Sequence, residues 1–365
     1  MYRFFRSILF RLDPETAHQF TLQLMRIGGM EPIHSILRAL YSAPAKPVQA
    51  FGLTFKNPVG LAAGYDKDAV AIKGLSALGF GHIEVGTVTP RPQPGNPRPR
   101  VFRLVEDDAV INRMGFPGKG AAYVVHSLRG KPRTSHFGNG ILRMALDVTS
   151  AKSRPPSPVH RSDTMLGINL GKNKTTPNEE AVLDYLELLQ RFAPYADYLA
   201  INISSPNTVG LRQLQGRDAL EGLLKQLDIQ RTMEEKLLEK RIPLLVKLAP
   251  DLTEKELDDA VDVILTTHMD GIIATNTTLA REGLKSSYQG EAGGLSGSPL
   301  RLRSEAVLRQ LVKCVDGEIP IVSAGGIMNP TDVKRRLDLG ATLIQVYTGL
   351  IYQGPGLVKK TLVEQ

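Results

Sequence analysis

Residues 198–210 read YLAINISSPNTVG. An apolar run carries a single amide, Asn202, and then stops in Ser204, Ser205, Pro206 and Asn207. The same pattern of a short apolar stretch closing on small or polar residues recurs along the chain. It appears in NPVGLAAG (57–64), HIEVGTV (82–88), MLGINLG (165–171), PLLVKLAP (243–250), GIIATNT (271–277), PIVSAGG (320–326) and LIQVYTG (343–349). Most are separated by helical patterns such as DAVAIKGLSALGF, EKELDDAVDVILTTH and PTDVKRRLDLGA. Eight buried strands alternating with helices predict an α/β fold, a (β/α)8 TIM barrel. A doubly wound sheet is the rival, but no GxGxxG follows a strand.

The chain of 365 residues has room for one large barrel or two ordinary domains. With 42% hydrophobic and 22% charged residues it has the composition of a folded protein. One cysteine, Cys314, excludes a disulfide framework and a multi-cysteine metal site. The net charge of +8 suits an anionic partner, whether a phosphate cofactor, an acidic metabolite or a membrane surface. No nucleic-acid motif accompanies it, and no nucleic-acid partner is expected. The apolar runs fall short of a membrane span, and Arg6 and Arg11 interrupt any signal-peptide pattern.

Residues 1–40 read as a separate pair of amphipathic helices, and 41–365 as the barrel. Asp13 is the expected N-cap, Pro14 the first helical residue, and Gly28–Gly29 the stop. Ala17, Phe20, Leu24 and Ile27 share one helical face. Basic flanks allow the pair to lie on a membrane surface, or it packs on the barrel as an ordinary hairpin. YSAPAKPVQA (41–50) reads as a linker, and a Pro/Ser-rich stretch around 130–163 as a mobile insertion without assigned chemistry.

A barrel of this type works at the C-terminal ends of its strands. There the sequence places Asp66, Lys67, Thr87, Asn169, Asn202, Lys247, Thr275, Asn276 and Thr277. One buried amide or ammonium is ordinarily a satisfied structural group, but six strands ending this way point to a site. Glycine loops in SAGGI and GGLSGSP, and Tyr347–Thr348 after the last strand, match the usual barrel phosphate site. Flavin mononucleotide (FMN) is the natural candidate. No histidine pairing suggests a metal, and no G-x-S-x-G suggests a serine hydrolase.

Together these motifs resemble the dihydroorotate dehydrogenase family, and within it the membrane-associated, quinone-reducing class 2. FKNPVGLAAGYDK, EVGTVTPRPQPGNPRPRVFRL, INRMGF, GINLGKNK, NISSPNTVGLR, VKLAPDL, ATNTT, GGLSGSPL and QVYTGL occur in family order, from LDPETAH to the last helix. The resemblance implies oxidation of (S)-dihydroorotate to orotate in pyrimidine biosynthesis. FMN takes the hydride, and a membrane quinone (ubiquinone or menaquinone) is the final acceptor. Ser205 stands where class 2 enzymes carry the base and class 1 enzymes a cysteine.

A serine hydroxyl is a weak base at neutral pH, so Thr208 or a water is expected to carry the proton onward. The resemblance assigns Lys67, Asn112, Arg113, Met114, Gly115, Phe116, Asn202, Asn207, Asn276 and Thr277 to substrate. It assigns Ala63, Gly64, Tyr65, Asp66, Lys67, Thr87, Asn169, Asn202, Lys247, Thr275, Gly297, Gly326, Tyr347 and Thr348 to FMN. It puts His18, Arg103 and Tyr347 along the quinone path. It also favours membrane association through the N-terminal helices, and a monomer. Without a targeting leader the expected location is the cytoplasmic face of a bacterial inner membrane. A mitochondrial inner-membrane enzyme trimmed of its leader would look the same. The rivals are a soluble class 1 enzyme using fumarate or a nicotinamide, another flavin barrel, and a basic membrane-surface protein without activity.

Overall fold

The structure is a computed structural model, and it describes residues 2–129 and 163–364. The insertion expected around 130–163 lies almost wholly outside the described residues. Eight parallel strands close into a barrel. They are Val59–Leu61, His82–Val88, Met165–Leu170 and Tyr198–Asn202, then Leu244–Leu248, Gly271–Ala274, Ile321–Ala324 and Leu343–Val346. The eighth pairs with the first through Ile344 and Val59, which completes the ring. Each of the eight apolar stretches supplies one of these strands.

The strands are buried on both faces, one packed inside the barrel and the other under the helices. This is why they read as apolar runs and not as alternating patterns. Every strand is followed by a helix: Ile72–Ser76, Gly120–Arg129, Ala181–Phe192, Arg217–Leu238, Glu254–Thr266, Arg301–Val315, Pro330–Asp338 and Leu357–Glu364. Glu254–Thr266 begins with a full capping box, in which Thr253 and Glu256 satisfy each other's backbone.

The expected linker at 41–50 is partly structured. Val48–Ala50 pairs with Leu53–Phe55 as a hairpin under the barrel. Phe55 meets the His82 ring edge-on at 5.5 Å, and Phe51 packs on Tyr198. His82 is fully buried, and burial pushes its pKa down to about 3, so the ring is neutral in this plug.

Three helices, not two, precede the barrel: α1 (Tyr2–Leu9), α2 (Pro14–Gly28) and α3 (Ile33–Tyr41). Asp13 caps α2 by accepting from the amides of Glu15 and Thr16 at 3.1 and 2.9 Å, as its position predicts. Helix α3 follows Pro32 directly and lacks a side-chain cap. Its only start signal lies beyond a Gly–Gly stop, so local chemistry hides it. On α2, Ala17 is buried while Phe20, Leu24 and Ile27 of the same expected face are about half exposed (51%, 45% and 48%). Phe4, Phe5, Ile8, Ile33, Ile36 and Leu40 also face outward, with Arg11, Arg26 and Arg38 exposed among them. Among the described residues no helix is long and apolar enough to cross a membrane.

A three-stranded antiparallel sheet forms a further layer: Val101–Leu104, Ala109–Asn112 and Gly294–Gly297. It ties α1 to the barrel. Arg103 stacks on Phe10 at 4.7 Å and donates to the carbonyls of Leu9 and Leu12. Tyr352 donates its hydroxyl to the strand carbonyls of Leu104 and Ala109 at 3.3 and 3.0 Å.

Candidate active site

A cavity of about 780 Å³ runs from the strand ends to the space between α1 and α2. Its inner end is built on a polar ladder inside the barrel. Glu84, fully buried on the second strand, accepts from Asn169 Nδ2 at 2.8 Å, Tyr198 Oη at 3.2 Å and Gln345 Nε2 at 2.6 Å. Lys247 Nζ lies 3.6 Å from the same carboxylate. A buried carboxylate this well paired avoids the penalty of isolated charge. Thr87 donates to Asn169 Oδ1 at 2.6 Å, and Asn202 Nδ2 reaches both Thr87 Oγ1 (2.9 Å) and Asn169 Oδ1 (3.0 Å).

Above the ladder, Asn276 Nδ2 donates to Ser204 Oγ at 3.0 Å, and Asn207 Nδ2 to Asn112 Oδ1 at 3.2 Å. Arg212 knots two loops together: its Nε donates to Ser204 O at 3.0 Å, and its Nη2 to Thr277 O at 2.8 Å. Asn96 Nδ2 holds the carbonyls of Arg113 and Asn207 at 2.9 and 3.2 Å. Ser205 is 5% exposed, lines the cavity, and accepts a 3.3 Å bond from the Asn207 amide. No hydrogen bond joins the Ser205 and Thr208 side chains among the described residues. Lys67 donates to Gly64 O at 2.6 Å, and desolvation pushes its pKa down to about 8.

The outer end is apolar and aromatic. His18 stacks edge-on against Tyr65 at 5.0 Å, and Tyr65 against Tyr347 at 6.0 Å. Burial, with Lys67 nearby, pushes the His18 pKa down to about 3, so its ring is neutral. At the rim, Glu15 of α2 meets Arg100 at 2.7 Å and Arg98 at 3.0 Å. Burial alone would raise the Glu15 pKa, but the bonds and charges of Arg100 and Arg98 bring it below the usual carboxylate range.

Most of the expected site residues gather here. Ser205, Lys67, Asn112, Met114, Gly115, Phe116, Asn202, Asn207, Asn276 and Thr277 line the cavity. So do Ala63, Gly64, Tyr65, Thr87, Lys247, Thr275, Gly297, Gly326, Tyr347, Thr348, His18 and Arg103. Three do not. The Asp66 carboxylate turns inward to accept from the amides of Val70 and Ala71, and burial raises its pKa to about 6. Asn169 belongs to the ladder beneath, and Arg113 turns to Glu291 at 2.6 Å and to the Phe102 ring.

Sequence reading missed Glu84 and Gln345, and took in Ser296 and Gly325 only as members of their glycine loops. The first two carried a signal, since each is a polar residue inside an apolar strand. Thr275 Oγ1 and Gln345 Oε1 are buried and lack a hydrogen-bond partner among the described residues. Such orphans ask for a polar ligand. Gly297 and Gly326 have φ of +95° and +71°, and a Cβ would lie 2.3 Å from Asp108 O or Arg301 Cα respectively. Only glycine fits against those neighbouring backbones, and both glycines line the cavity. Amide-rich floor, lysines, orphaned acceptors and glycine loops fit a flavin phosphate and ring.

Fold and site define a (β/α)8-barrel enzyme with a cofactor-type cavity at the strand ends. The model of the family described as dihydroorotate dehydrogenase matches residues 47–364. A "Dihydroorotate dehydrogenase (quinone)" of Halorhodospira halophila is 47% identical over 99% of this chain and 97% of its own. One of Idiomarina loihiensis is 45% identical over 98% of both chains. The crystal structure of the Eimeria tenella enzyme in complex with ferulenol superposes with a TM-score of 0.80. It is 38% identical and covers 96% of this chain and 90% of that one. The chain belongs to the dihydroorotate dehydrogenase family, with its similarity to the quinone-dependent class 2 running nearly end to end.

Proposed function

We propose that this chain oxidises (S)-dihydroorotate to orotate in pyrimidine biosynthesis and passes the electrons to a membrane quinone. The observation that carries this reading is the single cavity with two ends. It joins the serine, amide and lysine cluster at the barrel mouth to an apolar vestibule between α1 and α2. FMN, when bound, supplies the hydride acceptor and relays the two electrons to quinone.

Thr87, Lys247, Thr275, Gln345, Gly297, Gly326 and Thr348 would hold that cofactor. Lys247 supplies positive charge at the inner end, a role for which Lys and Arg are suited. Asn112, Asn207, Asn276 and Thr277 present donors and acceptors that match a planar ring with amide and carbonyl edges. Lys67 pairs with the substrate carboxylate. Ser205 Oγ takes the proton from C5, with the Asn207 amide fixing its place in the turn. The expected onward step through Thr208 would need an intervening water or a loop movement.

His18, Arg103 and Tyr347 mark the quinone path. The exposed apolar faces of α1 to α3, with arginines beside them, support peripheral membrane association. On this reading residues 1–40 are the membrane unit, and the protein is a monomer on the inner membrane. The test is anaerobic mixing with dihydroorotate, then with quinone, while following the flavin spectrum. Bleaching by the first and recovery with the second is the expected result. A colourless protein, or flavin that dihydroorotate leaves oxidised, would overturn the reading.

A further inference from the structure

Behind the glycine loop that follows the seventh strand lies a buried cation with no part in the roles above. Arg336, on the helix Pro330–Asp338, is 0% exposed. Its Nη2 donates to the carbonyls of Gly325 and Arg301, both at 3.0 Å, and to Ser304 Oγ at 2.7 Å. Its Nη1 reaches Ser323 Oγ at 3.1 Å. Ser304 Oγ itself lies 2.8 Å from Gly325 O. Arg336 therefore holds the Gly325 carbonyl from behind, and the Ser304 hydroxyl, which also lies 3.0 Å from the Leu300 and Arg301 carbonyls, comes nearest to the same oxygen. In a trans peptide the carbonyl and the next N–H point opposite ways. Fixing the Gly325 oxygen toward Arg336 turns the Gly326 N–H away from it, on the side of the cavity that both glycines line.

The local charge matches. Glu305 faces Arg336 Nε at 3.8 Å, and it also meets Arg335 at 2.9 Å and Arg309 at 3.4 Å. Asp332 meets Arg301 at 3.5 Å. Four guanidinium groups share two carboxylates, so the back of the loop is left with surplus positive charge. Burial pushes the Arg336 pKa down to about 10, and the side chain stays charged at neutral pH. The Gly325 carbonyl, in the loop that lines the cavity, is one of the four acceptors that this arginine ties together.

We propose that Arg336, acting with Ser304 through the Gly325 carbonyl, is a positioning residue that presents the Gly325–Gly326 backbone to a phosphate monoester dianion. It thereby selects the phosphorylated flavin over the unphosphorylated one. This rests on the reading of the cavity as a flavin site. The test follows flavin fluorescence as full-length protein filled with FMN or with riboflavin releases it on dilution. The wild type should hold FMN far longer than riboflavin. Arg336→Met should speed FMN release by about tenfold or more and change riboflavin release by less than about twofold. Arg336→Lys, which keeps the charge but loses the fork, should fall between.

Equal acceleration for both flavins would make Arg336 a packing residue and overturn the proposal. So would unchanged FMN release, or a wild type that holds both flavins equally. Should Arg336→Met fail to fold, Ser304→Ala decides: FMN-selective acceleration supports the proposal, and unselective or absent acceleration overturns it. A wild type that holds neither flavin would instead sink the flavin reading itself.

Discussion

At the inner end of the cavity the Asn202 side chain bonds to Thr87, Asn169 and Ser204 at once. At the outer end Phe20 and Leu24 stand 51% and 45% exposed on α2. The inner end is a constellation whose members hold one another. The outer end is an apolar surface that the described residues leave partly uncovered. Rigid preorganisation suits proton and hydride chemistry, where a small misplacement is costly. An apolar, poorly covered opening suits a greasy co-substrate that arrives from a bilayer.

The largest effect should come from the inner end. Ser205→Ala should keep its flavin but lose about 10²- to 10⁴-fold in the rate of flavin reduction by dihydroorotate. Stopped-flow absorbance reads this directly, and a near-normal rate would remove Ser205 as the base. The paired change Phe20→Asp with Leu24→Asp addresses the outer end. It should weaken vesicle binding and long-chain quinone reduction by about tenfold or more, since each side chain loses about 1.5–3 kcal/mol of apolar burial. Reduction of the flavin by dihydroorotate should be untouched. Equal damage to both half-reactions would mean that the two ends are not separable.

The smallest effect is a slope with pH. Lys67 has a pKa lowered to about 8, so it is charged below that pH and loses its charge as pH rises through it. Orotate affinity should be flat below about pH 7 and fall by up to tenfold per pH unit above the lysine's pKa. Calorimetric titration of orotate across pH 6–10 measures it. Lys67→Met should bind more weakly and without the slope; a wild type with no slope would deny Lys67 the carboxylate.

The barrel was legible because its signal is local. Eight apolar stretches such as YLAINIS and LIQVYTG each sit on one buried strand, and helices such as Glu254–Thr266 carry their own caps. Most of the cavity lining was legible for a related reason, since a strand of this fold delivers its last residues to the mouth. The antiparallel layer was not. Its strands have four residues each, and Gly294–Gly297 pairs with Ala109–Asn112 from far away in the chain. No window of sequence contains that pairing. For Asp66 and Arg113 a motif fixes which residue is near the site, but hydrogen bonds to Val70, Ala71 and Glu291 decide where the side chain points.

The carboxylate of Glu15 has a consequence for how this protein can change. In chain order the helical segment looks detachable, a module that could be traded between relatives. Electrically it is not, because Glu15 is the carboxylate partner of Arg100, a nearly buried cation that also holds the carbonyls of Pro94 and Asn96. Asn96 in turn holds Asn207 in the loop of Ser205. A transplanted hairpin without an acid at this position would leave an arginine stranded two steps from the chemistry. The two segments are therefore coupled through one buried ion pair, however cleanly the sequence divides them.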